Sequence, residues 1–145
     1  MRFLMMIKAT KLSESGARPS EAVLAAMMKY NDELSKAGVL LDLAGLHPSE
    51  KGARIRFHAG KPTVIDGPFT EAKELVAGYW LIQVQSREEA IEWARRVPFE
   101  GPSGAMAGED GEVELRQLFE MADFPEANAE TLATAAKIGA KLQHP

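Results

Sequence analysis

The sequence has no cysteine, only three histidines and no long apolar run. Without thiols it forms no disulfide, carries no thiolate nucleophile and builds no Cys-ligated zinc or iron–sulfur centre. Its most apolar stretches are residues 3–7, 39–43 and 76–84, far short of the ~20 residues that span a bilayer. Basic residues are in the minority: 17 Lys and Arg against 21 Asp and Glu leave a net charge of −4. That balance argues against the basic surface a general nucleic-acid binder needs. The start, Met1-Arg2-Phe3-Leu4-Met5-Met6-Ile7-Lys8, resembles a secretion signal only in outline. Its apolar part is shorter than the usual ~7–15 residues, and no small-residue cleavage site follows. The expectation is a cytoplasmic protein with no membrane and no direct nucleic-acid partner.

Several chemical signatures are missing too. Residues 101–111 hold four glycines, but neither the Lys-Ser/Thr of a phosphate-binding loop nor a G-x-G-x-x-G spacing; they read as a mobile loop. No G-x-S-x-G elbow supports a serine hydrolase. The dispersed histidines, His47, His58 and His144, offer no metal-ligand spacing. No metal and no cofactor are therefore expected.

What is present suits one globular domain: 145 residues, 46% apolar and 26% charged, enough to bury a core unaided. Residues 3–8 read as a strand covered on both faces, and residues 11–18 as a polar loop. Val23, Met27, Tyr30 and Leu34 form one stripe of a helix over residues 19–37, with Pro19 in its first turn and Gly38 beyond its end. Residues 39–44 form a second strand. Arg54-Ile55-Arg56-Phe57-His58 alternates as a strand does, Gly60-Lys61-Pro62 turns the chain, and residues 63–65 return as its partner. Asp66-Gly67-Pro68-Phe69 is a turn by its chemistry, followed by one helical turn over residues 71–74 and a long strand over 76–85. Ser86-Arg87-Glu88-Glu89 is a capping box opening a helix that Pro98 ends. Residues 113–120 make a last strand. Asp123 and Glu126 are candidate caps for an Ala-rich helical tail.

This order, strand–helix–strand, hairpin, strand–helix–strand, predicts an α+β fold: a ferredoxin-like sandwich with an inserted β-hairpin. The body spans residues 1–122 and the tail 123–145. One sheet face is left for burial elsewhere, which predicts a homodimer with sheets stacked, and a cleft between sheet, hairpin and turn.

The stretch Asp66-Gly67-Pro68-Phe69-Thr70-Glu71-Ala72-Lys73-Glu74 resembles the YCII-related family, in the subgroup named for its Asp-Gly-Pro-Phe motif. Gly45-Leu46-His47-Pro48-Ser49, Gly52-Ala53-Arg54-Ile55-Arg56-Phe57, Gly78-Tyr79-Trp80-Leu81-Ile82-Gln83-Val84, Glu89-Ala90-Ile91-Glu92-Trp93-Ala94 and Val113-Glu114-Leu115-Arg116 extend the likeness over roughly residues 3–119. The resemblance implies a dimeric α+β barrel of ferredoxin-like protomers. It also implies kinship with small bacterial proteins, mostly of undetermined function, related in fold to cofactor-free monooxygenases and small-molecule lyases. Some members of the subgroup are associated with extracytoplasmic-function sigma factors. In the YCII branch a first-helix His and the motif Asp are proposed as an acid–base pair. Here residues 18–24 contain no His, so Asp66 alone carries over.

Asp66 is the first site candidate. A partly desolvated carboxylate at a strand end serves acid–base chemistry, whereas a turn Asp ordinarily caps a backbone N–H. Pro68 has no N–H, leaving Phe69 or Thr70 as the partner. His47 would assist near neutral pH, or is an incidental loop residue. Arg54, Arg56 and His58 share one face of a strand, where arginines would receive an anion or remain a solvated hairpin face. Phe69 and Trp80 complete the ligand-contacting candidates. Trp80 and its neighbour Tyr79 point to opposite faces: either both pack, or one fills the core and the other closes the cleft or the dimer interface. Met5, Met6, Met27 and Met28 read as core filler.

Three functions fit: a cofactor-independent enzyme using Asp66 and His47 with Arg54 as anchor, a non-catalytic small-molecule binder or regulatory partner, or a motif that only folds a turn. The first two share a pocket, so the sequence does not separate them; its expected ligand is a small molecule, anionic if the arginines hold it.

Overall fold

In a computed structural model, residues 1–99 and 110–142 are described. The expected glycine-rich loop, apart from Asp110 and Gly111, lies outside them. The first strand, β1 (Arg2–Lys8), is followed by α1 (Lys11–Glu14), α2 (Glu21–Lys36) and β2 (Leu40–Gly45). Then come the hairpin strands β3 (Ala53–His58) and β4 (Lys61–Asp66), the long strand β5 (Val76–Gln83), α3 (Arg87–Arg95), β6 (Val113–Gln117) and the tail helix α4 (Ala129–Leu142). Four strands form one antiparallel sheet in the order β2-β5-β1-β6, while β3 and β4 pair only with each other. The two expected strand–helix–strand halves are present, and the hairpin is inserted between them. Among the described residues no helix is long and apolar enough to cross a membrane.

The sheet has two unlike faces because side chains alternate along each strand. Phe3 and Met5 of β1 pair with Ile82 and Trp80 of β5, and all four are buried with Tyr30 and Leu34 of α2. Leu4, Met6, Tyr79 and Leu81 turn to the opposite face and are only half-buried. Within one chain α2 and α3 pack against the first of these faces, so the burial expected of β1 on both faces is not complete in a single copy. The methionines divide accordingly. Met5 is core, Met27 packs against it, Met6 lies on the far face and Met28 is exposed.

Local chemistry sets the helix ends. Ser20 caps α2 by accepting the Val23 N–H at 3.3 Å, so Pro19 precedes the cap instead of sitting in the first turn. Gly38, at φ +72°, ends the helix in a left-handed conformation that glycine adopts without strain. Ser86 caps α3 as predicted, accepting the Glu89 N–H, while the Glu89 carboxylate reaches one residue further back, to the Gln85 N–H. The residues read as a polar loop instead contain α1, opened by a reciprocal cap between Thr10 and Ser13. The hairpin turn is Ala59-Gly60, with Lys61 and Pro62 already in β4. The tail helix has Asn128 accepting the Thr131 N–H. Asp123 instead accepts the Glu120 N–H in the preceding turn. No residue of α4 is buried.

Candidate functional site

Along β5 the helix-facing positions run Ile82, Trp80, Gly78, and Gly78 stands opposite Gly45 of β2. Two adjacent positions without side chains lower the sheet surface there. The space above them, under α2, is a cavity of about 340 Å³. Ile7, Val23, Met27, Leu43 and Trp80 contribute its apolar walls, and Thr10, Leu12 and Ser13 from the start of α1 border it together with Arg18. A Cβ on Gly78 would lie 3.0 Å from the Ala44 carbonyl oxygen and would fill part of this floor. Among the described residues the lining includes the cationic Arg18 and no carboxylate or imidazole.

The wall formed by Trp80 is fixed by its neighbours. Its Nε1 donates to Asn31 Oδ1 at 2.7 Å, and its ring meets Tyr30 edge-on, with centroids 5.3 Å apart and planes at 84°. The Tyr30 hydroxyl donates to the Trp93 carbonyl at 2.7 Å, joining α2 to α3. Burial pushes the Tyr30 pKa far above its ordinary 10.0. On the opposite sheet face the Tyr79 hydroxyl donates to Asp42 at 2.9 Å, and that bond raises its pKa as well.

The Asp-Gly-Pro-Phe turn lies elsewhere, at the end of β4. The Gly67 N–H donates to the Gly52 carbonyl at 3.0 Å, and the Gly67–Pro68 bond is cis. Gly67 packs so closely that a Cβ would fall 1.8 Å from the Ser49 carbonyl oxygen. The Phe69 N–H donates to Ser49 Oγ at 2.9 Å, and the Ser49 hydroxyl donates to Glu14 Oε2 at 2.6 Å. The Ser49 N–H is also directed at the Glu14 carboxylate, at 3.1 and 3.2 Å. The motif turn is thereby tied to α1, whose first residues border the cavity.

The predicted site residues divide into separate places. Arg54 and Phe69 come together, the guanidinium carbon 3.9 Å from the ring centroid. Asp66 ends β4 opposite Ala53 and is exposed. Of the two backbone groups considered as its cap partners, the Phe69 N–H is engaged by Ser49. His47 is exposed in the loop after β2, and Arg56 is exposed on β3. Only Trp80 of the candidates lines the cavity. The expected cleft between sheet, hairpin and turn is not where the apolar cavity forms: the Gly45–Gly78 floor places that cavity between α2 and the sheet. Another depression, bordered by charged side chains, lies beyond the motif between residues 8–11, 70–73 and 110–112. Among the described residues no three His, Asp or Glu side chains gather as metal ligands would.

Sequence reasoning missed Ser49 and Glu14, which meet across 35 positions. It also missed the cavity floor, for which the only sequence signal is a glycine at a helix-facing position of each of two strands.

An α+β domain with helices on one sheet face, an inserted hairpin and an Asp-Gly-Pro-Phe turn defines the class. The YCII-related domain model matches residues 1–122, and the chain belongs to that family. It is 35% identical over 98 residues to an uncharacterised protein of Rhizobium meliloti (strain 1021), a match covering 68% of this chain and 74% of that protein.

Proposed function

We propose that the protein binds a small molecule in the cavity between α2 and the sheet, without a cofactor, as a non-catalytic binder or regulatory partner. The observation that carries this proposal is the Gly45–Gly78 floor beneath apolar walls. A volume of about 340 Å³ lies at the lower end of the ~300–1,000 Å³ typical of small-ligand pockets. The described lining offers no carboxylate or imidazole for proton transfer, which favours binding over acid–base turnover. Equilibrium dialysis against a mixture of small aromatic and aliphatic compounds tests it. Wild type is expected to retain members that Met27→Trp, which fills the cavity from the helix side, does not. Equal retention by both proteins would sink the proposal.

Acid–base catalysis at Asp66, with His47 assisting and Arg54 or Arg56 anchoring an anion, is the second reading. Its support is the Arg54–Phe69 contact, which holds a cation beside the motif turn. Thermal unfolding of Asp66→Ala discriminates. A carboxylate kept for function leaves stability unchanged or raised on removal, whereas a structural cap costs about 1 kcal/mol. A loss of that size would assign Asp66 to turn formation.

The strand order β2-β5-β1-β6 supports a ferredoxin-like sandwich, and the half-exposed face carrying Leu4, Met6 and Leu81 supports stacking on a second copy into an α+β barrel. A homodimer follows from this proposal. Light scattering should give twice the chain mass for wild type and the single-chain mass for Leu81→Arg; a monomeric wild type would exclude the barrel.

A further inference from the structure

Resting on the binding reading above, we infer that the ligand is an apolar molecule with one anionic end, the anion held by Arg18 and the apolar body lying on the Gly45–Gly78 floor. The cavity is chemically one-sided. Val23, Met27, Leu43 and Trp80 surround its interior with carbon, and Arg18 stands in the lining just before the cap of α2. A molecule apolar along its whole length would leave this guanidinium without use, whereas a carboxylate matches its planar donors. The charge is also available: Arg18 is exposed, and among the arginines of the described residues it is the one that lines the cavity. Met27 and Met28, both in the lining, adapt to different apolar shapes, so the fixed elements of recognition are the floor and the cation.

The test compares 1-naphthoate with the uncharged 1-naphthalenemethanol, using calorimetry on the full chain. The expected result for wild type is tighter binding of the carboxylate, on the order of tenfold, as a charge-assisted contact gives. That advantage should shrink with added salt. Arg18→Gln should remove it while leaving affinity for the alcohol unchanged, and Gly78→Val or Met27→Trp should abolish both. The two cavity-filling variants approach from opposite walls, and circular dichroism identifies either that fails to fold. If both probes bind wild type equally and Arg18→Gln changes neither, the anionic class is overturned while the cavity reading stands. If neither probe binds wild type, or binding survives both fillings, the cavity reading falls with it.

Discussion

The Ser49 hydroxyl donates to Glu14 Oε2 at 2.6 Å and accepts the Phe69 N–H at 2.9 Å, so one side chain joins the end of α1 to the Asp-Gly-Pro-Phe turn. Ser49→Ala leaves the Phe69 N–H without its acceptor and the Glu14 carboxylate with only the Ser49 N–H. A loss of about 1–2 kcal/mol is expected by chemical denaturation. In a double-mutant cycle with Glu14→Ala the two losses should be non-additive by about 1 kcal/mol. Strict additivity would mean that the Ser49–Glu14 contact contributes nothing.

Gly67→Ala should be more damaging than Ser49→Ala. Its Cβ would meet the Ser49 backbone carbonyl at 1.8 Å, and a backbone oxygen cannot rotate away as a side chain can. The cost is expected at or above the upper end of the ~1–3 kcal/mol of overpacked sites. Thermal unfolding with less than 1 kcal/mol of loss, on this same approximate scale, would show that the turn can move off Ser49.

Ala59 opens the hairpin turn at φ +48°, followed by Gly60 at φ +74°. Two consecutive positive φ values are those of a turn that favours Asn-Gly, and an alanine there is strained. Ala59→Asn is expected to stabilise by about 0.5–1 kcal/mol, read as a raised denaturant midpoint at constant slope. An unchanged midpoint would mean that the hairpin opens independently of the main sheet.

Arg2 and Glu120 form a two-pronged ion pair, both contacts at 2.9 Å, that joins β1 to the chain beyond β6. The hydrogen bond from Arg2 lowers the Glu120 pKa below its ordinary 4.5, so the folded state favours the carboxylate. The associated stability is present above pH 4.5 and is lost as pH falls through the lowered value. Because both side chains are more than one-third exposed, the pair is worth at most about 1 kcal/mol. Glu120→Gln should be weaker than wild type by up to that amount at pH 7, with the gap closing in acid and in high salt. A gap that is the same at pH 3 and pH 7 would assign the effect to packing.

Tyr30→Phe should cost about 1–3 kcal/mol, because the Trp93 carbonyl loses a buried donor. Burial raises the Tyr30 pKa from 10.0, so the unfolded chain ionises first and stability falls as pH rises past 10. Unfolding followed in alkali should therefore show a steeper loss for wild type than for Tyr30→Phe. Parallel curves would mean that Tyr30 ionises as readily when folded.

Much of the fold could be read in advance because its signals are local. The Val23, Tyr30 and Leu34 stripe, the Ser86 cap and the alternation through residues 54–58 each act within a few positions, and each formed the expected element. The missed α1 shows the limit: its cap uses Ser13 where a Glu or Gln is usual at the third helical position, so the local signal is weak. The hairpin turn was displaced by one residue because Ala59 is a poor match to the positive φ it adopts.

The order of the strands and longer helices, the family motif and the turn at Gly67 follow from the sequence alone, since propensity, capping and patterning depend on neighbours in the chain. Tertiary structure decided which sheet face the helices cover, that Gly45 stands beside Gly78, and that Ser49 meets Glu14 across 35 positions. Those relationships depend on strand register and long-range packing. They place the cavity under α2 and leave Asp66 exposed at the end of the hairpin.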